Sequence, residues 1–164
     1  MKHRRRIMGG LSVFVLTPAA ALAEPSIADV ERFRSCVGET FRENADNFTA
    51  ALGIPVLCGA KHIPYEQSCA FLRKLMAPEE CINADHAYWK AETDAQLLEE
   101  GFDEVPSGSM LASGLTRCAE TGGADLRQRV CETEVYWRSA IIALASPMIE
   151  AIQNEQKETE DASK

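Results

Sequence analysis

SIADVERFRSCVGETFRENADNFTAAL, residues 26–52, decides the fold class. Ile27, Val30, Phe33, Val37, Phe41, Phe48 and Leu52 recur mostly at three- and four-residue steps, the period of an amphipathic helix, whereas a half-buried strand needs period two. Ser26 and Asp29 form a capping box at its start. Gly53 and Pro55 are expected to stop it. Arg32, Glu39, Arg42 and Glu43 fall off the apolar stripe and read as a solvated face.

Helical spacing continues downstream. A loop holding Cys58 is expected from Ile54 to Ile63. Pro64 stands where a helix can begin, because its missing N–H costs nothing there, and Tyr65, Cys69, Leu72 and Met76 follow before an end at Ala77. Pro78, Glu79 and Glu80 open a third helix with acids in its first turn, as the helix dipole favours. Its expected buried stripe is Cys81, Ala84, Tyr88, Ala91, Ala95 and Leu98, bordered by Trp89, with Gly101 as the stop. Gly101 to Gly108 reads as a linker. A fourth helix spans Ser109 to Glu120 on Leu111, Leu115 and Cys118, and Thr121-Gly122-Gly123 breaks it. The fifth carries Leu126, Val130, Thr133, Trp137, Ile141, Leu144, Met148 and Ile152, with Pro147 expected to kink or divide it. The fold class expected is all-α: a small irregular bundle of about five helices, a leading helix plus two helical hairpins.

The start of the chain reads as an export address. Lys2, His3, Arg4, Arg5 and Arg6 precede an apolar run from Ile7 to Ala21 that ends in Ala21-Leu22-Ala23, a small-x-small cleavage signature. The run is short for an anchoring helix and contains Gly9, Gly10 and Pro18. No cysteine follows the cut, so a lipid-attached form is disfavoured. Arg4-Arg5-Arg6-Ile7-Met8 also loosely fits a twin-arginine signal. The expected division is residues 1–23 as a cleaved signal peptide, 24–152 as one helical domain, and 153–164 as a disordered acidic tail with nothing to bury. The expected location is the periplasm.

Four of the 17 Lys and Arg lie in the first 23 residues and none of the 25 Asp and Glu, leaving 13 basic against 25 acidic residues, a net −12. That balance disfavours nucleic acid, which needs a basic patch, and anionic membrane surfaces once the signal is gone. It suits a basic protein partner.

All six cysteines, Cys36, Cys58, Cys69, Cys81, Cys118 and Cys131, lie beyond residue 23. An even number in an oxidising compartment reads as a disulfide framework of three bridges, one of 15 possible pairings. The gaps of 22, 11, 12, 37 and 13 contain no C-x-x-C pair. That speaks against zinc and thiol redox chemistry, and the lack of C-x-x-C-H speaks against covalent haem. No cofactor and no metal site are expected.

No catalytic constellation stands out. His62 and His86 lack partners at catalytic or metal-binding offsets, although Asp85 or Glu92 could pair with His86. Ser107-Gly108-Ser109 lacks the strand-to-helix elbow of a nucleophile. Glu79-Glu80, Glu99-Glu100 and Asp103-Glu104 read as solvated helix ends. Trp89 and Trp137 read as core.

One pattern repeats. Cys69 and Cys81 are followed by Trp89, and Cys118 and Cys131 by Trp137, as if each were a tethered helical hairpin. Here the chain resembles the bacterial lysozyme-inhibitor-like family (LprI N-terminal domain), through Cys69 to Cys81 with Tyr88-Trp89-Lys90-Ala91-Glu92, or through Cys118 to Cys131 with Glu134, Trp137 and Arg138. The family's Gln-x-x-Trp-x-x-Phe-Arg stretch has no counterpart. The resemblance implies binding and blocking of a lysozyme-type muramidase without catalysis, and names no contact residue. The alternative is an envelope assembly or interaction factor using exposed apolar surface around Met148 and Ile152. Peptide mapping without reduction separates the packings: bridges 69–81 and 118–131 are expected for two tethered hairpins, and long-range bridges demand another arrangement.

Overall fold

The computed structural model describes residues 24–44, 48–65, 78–120 and 125–162. They form five helices and, among the described residues, no strand: α1 (Ile27–Glu43), α2 (Phe48–His62), α3 (Pro78–Glu99), α4 (Met110–Glu120) and α5 (Asp125–Ala162). The proposed cleavage point, most of the expected second helix at 64–77, and the Thr121-Gly122-Gly123 break lie outside the described residues. Pro64 and Tyr65 are non-helical.

The leading segment is a hairpin of two helices, not one helix ending at Leu52. Ser26 caps α1 by accepting from the Asp29 amide. Phe33, Val37 and Phe41 are buried along its inner face. At the other end, the Asn44 amide donates to the Phe41 carbonyl and its side chain to the Thr40 carbonyl at 2.8 Å. Asparagine here does the stopping that was assigned to Gly53 and Pro55. Those two residues lie inside α2 instead, over most of what was expected as a loop. Proline costs α2 a single backbone bond, and covalent and packing contacts hold the helix through it. Cys58 is bridged to Cys36 with Cα atoms 5.8 Å apart, a closure that contributes about 3 kcal/mol.

α3 matches its expected span but is rotated. Cys81, Ala84, Asp85, Trp89 and Thr93 are buried, while Ala91 and Ala95 are exposed and Leu98 is 61% exposed. Trp89 is therefore central where it was expected to border the stripe. The end follows the Schellman pattern: Phe102 N–H donates to Leu97 O and Gly101 N–H to Leu98 O, with Gly101 at φ +86°, a conformation that glycine adopts without steric cost. α4 starts where Ser109 Oγ accepts from the Ala112 amide at 3.0 Å.

α5 is the hub. It packs against each of the other four helices, α1 and α2 pack on each other, and no other pair of the described helices touches. Cys118–Cys131 and the approach of Gly114 to Val135 set α4 antiparallel to α5. α3 runs parallel to α5, as the contacts Asn83 to Arg129, His86 to Glu132, Thr93 to the Tyr136 carbonyl and Gln96 to the Ala140 carbonyl advance together along both chains. Leu126–Thr159 is long and apolar enough to cross a membrane by length and composition alone. Here its apolar surface is what the other helices pack on.

α5 runs undivided through Pro147, and it continues to Ala162. The tail expected to be disordered is thus helical as far as it is described. Its Glu, Gln and Lys are good helix formers, and extending an existing helix avoids the cost of nucleation. The Met148 and Ile152 surface is not an exposed apolar face: Ile152 is buried and Met148 packs against the core.

Backbone contact is closest at two glycines. A Cβ on Gly59 would lie 2.9 Å from Ile141 Cγ2 and 3.0 Å from the Trp137 ring, and one on Gly114 would lie 2.8 Å from Val135 Cγ1. Val135 is β-branched on a helix and has one strongly preferred rotamer, so it cannot swing aside cheaply. Gly114→Ala is expected to destabilise by roughly 1–3 kcal/mol. Gly53→Ala meets nothing within 4 Å and is expected to be neutral or to stabilise by up to about 1 kcal/mol. Urea denaturation of both variants measures the contrast.

Candidate functional site

Two helices that share a hub without touching leave a trough between them. α2 and α4 both lie on α5 and not on each other, and the space between them is a groove of about 840 Å³. Val56 and Leu57 form one wall, Met110, Leu111 and Gly114 the other, and Val135, Ile142 and Ala143 the floor, with Leu97 and Pro106 at one end. Leu57 and Met110 are 71% and 80% exposed. Large apolar side chains left to water around a concavity mark binding surfaces more often than scattered single ones do.

The groove is electrically lopsided. Arg117 and Arg138 line it on α4 and α5, and Glu100 lines it from the turn just past α3. Arg117 precedes the bridged Cys118, so the arginines lie toward the Val135 end. The contact of Gln96 with the Ala140 carbonyl carries the end of α3, and Glu100 with it, toward Ser146. Arg138 is paired with Glu134 at 2.6 Å. Arg117 has no hydrogen bond or ion pair among the described residues. A second hollow of about 570 Å³, lined by Arg34, Gln96, Glu99, Leu144, Pro147 and Met148, is smaller and has fewer apolar walls.

The candidate residues from sequence fall elsewhere. Cys36–Cys58 and Cys118–Cys131 are bridges, Cys81 is disulfide-bonded as well, and Cys69 lies outside the described residues. These bonds belong with an oxidising environment. Trp89 Nε1 donates to the Tyr65 carbonyl at 3.1 Å and Trp137 Nε1 to the Ile63 carbonyl at 2.7 Å. The two tryptophans of the repeated pattern thus pin one short segment, and both are buried. Among the described residues no group of three or more His, Cys, Asp or Glu could hold a metal ion.

His86 finds a carboxylate, but neither Asp85 nor Glu92. Its Nε2 lies 3.0 Å from Glu132 Oε2 across the α3–α5 interface, Gln128 donates to the other Glu132 oxygen at 2.8 Å, and the Tyr136 ring meets the imidazole edge-on at 5.6 Å. With both carboxylate oxygens engaged and neither hollow reaching the imidazole, the pair acts as an interhelix clamp. His62 is half-buried at the end of α2.

Sequence reasoning missed the groove, yet a signal was present. Val56-Leu57, Leu97-Leu98, Met110-Leu111 and Ile141-Ile142 are adjacent apolar doublets, and neighbours on a helix point about 100° apart, so one narrow stripe cannot bury both.

Burial, then the charges of Glu92 and Glu24, hold the Tyr88 hydroxyl well above its ordinary 10.0. Burial also raises Tyr136, against the opposing pull of Lys90. Both phenols stay protonated in the folded chain while their unfolded counterparts ionise, so stability is flat below the ordinary value and falls as pH rises beyond it. Tyr88→Phe is expected to flatten that alkaline fall in urea midpoints; an unchanged slope contradicts the assignment. Comparison with known proteins finds no matching family model, no similar curated protein and no similar solved structure.

Proposed function

We propose that this chain is a non-catalytic binding protein of an extracytoplasmic compartment, the periplasm, and that the groove between α2, α4 and α5 is its working surface. The carrying observation is the pair of exposed apolar side chains, Leu57 on α2 and Met110 on α4, that line one concavity whose lining is mostly apolar. Burying them in this chain would require α2 and α4 to meet over α5. The bridges at Cys36–Cys58 and Cys118–Cys131 tether both helices to their neighbours. A ligand can therefore enter without rebuilding the core. Nile red, a neutral apolar dye, is expected to bind the oxidised protein and to lose affinity in Leu57→Asp and Met110→Glu, with unfolding midpoints unchanged because both positions face water. Undiminished dye binding in both variants removes the groove from consideration.

A second reading, inhibition of a basic lysozyme-type muramidase, is favoured by the net −12 beyond residue 23 and by crowded carboxylates. Partial burial, followed by the charges of Glu24 and Glu99, pushes the Glu92 carboxyl above its ordinary value. A cationic partner would relieve that repulsion, with association that is fast and sensitive to salt. Lysis of cell walls by a basic lysozyme is then expected to slow as the protein is added; full lysis at excess protein eliminates this reading.

A further inference from the structure

We propose that the groove is a site for a long-chain carboxylate, an alkyl chain with an anionic head. This rests on the reading of the groove as the working surface and commits it to one ligand class. The floor along α5 from Val135 to Ser146 is about 16 Å long at 1.5 Å per residue. The groove's volume lies within the usual range of small-molecule sites, roughly 300–1,000 Å³. The walls offer Val56, Leu57, Met110, Leu111 and Ile142 to an alkyl chain. Among the described residues three charged side chains line the groove, and they are sorted by sign: two arginines toward one end and Glu100 toward the other.

In a chain as acidic as this one, an arginine in the groove is what admits an anion. Arg138 is already neutralised by Glu134, which leaves Arg117 on α4, without an ion pair among the described residues, as the cation to accept a carboxylate in the paired geometry that guanidinium favours. Glu100 repels an anionic head at the opposite end and so fixes the direction of the chain. A neutral amphiphile gains the walls and not the head contact. An amphipathic helix from a protein partner would fill the trough too, but nothing in it requires an anion beside Arg117.

Titration calorimetry of the oxidised full chain with myristate and with myristyl alcohol tests the site. Myristate is expected to bind with one-to-one stoichiometry and at least about tenfold more tightly than the alcohol, the difference expected of one hydrogen bond to a charged group. Arg117→Ala should erase that preference and Arg117→Lys should restore part of it. Met110→Glu should weaken both ligands, and circular dichroism checks that each variant is folded. Equal binding of acid and alcohol, unaltered by Arg117→Ala, overturns the carboxylate assignment while leaving the groove as an apolar site. Binding of neither compound while Nile red still binds overturns the carboxylate assignment and leaves the groove reading standing, whereas failure of myristate, myristyl alcohol and Nile red alike overturns both.

Discussion

Gly59, Ile63 and Trp137 meet at one point, and the rest of the molecule is arranged around it. The missing side chain at Gly59 lets α2 approach Ile141 and Trp137 on α5 to a distance no Cβ tolerates. The indole N–H then donates to the Ile63 carbonyl as the chain leaves α2. Each contact supports the other: the close approach carries the carbonyl to the indole, and the hydrogen bond satisfies an acceptor that burial would otherwise leave without water. Trp89 makes the equivalent bond two residues on, to Tyr65, so α2, α3 and α5 are tied by a segment with no regular structure of its own.

This explains why the cysteine and tryptophan pattern is plain in the sequence while its meaning is not. The spacing of Cys81 to Trp89 and of Cys131 to Trp137 places each tryptophan on the same helix as a bridged cysteine, which the sequence shows directly. That both indoles converge on residues 63–65 is a long-range fact, and no local period encodes it. Helical class, the starts of α1 and α3, the stop at Gly101 and the extent of α4 are legible because each has a local cause: a cap, an acid-rich first turn, a left-handed glycine.

The departures share a cause as well. Gly53 and Pro55 read as breakers on intrinsic propensity alone, and tertiary contact through Cys58 and Gly59 overrides it. The rotated stripe of α3 arises because alanines count as apolar in a periodic reading, although Ala91 and Ala95 face water while Asp85 and Thr93 do not. A buried Thr93 is tolerated only because its hydroxyl donates to the Tyr136 carbonyl, a partner on another helix. The groove stays hidden for a related reason: a trough is defined by two elements failing to touch, and a sequence carries no direct mark of a contact that is not made.

The last turns of α5 have a practical meaning. Beyond Ile152 the helix continues for ten residues, Gln153 to Ala162, most of them facing water, which sets its end about 15 Å past the last buried layer. Such a stalk separates whatever follows it from the body of the protein. A label, an affinity handle or a surface attachment placed there would stand off from the trough and leave its mouth unobstructed.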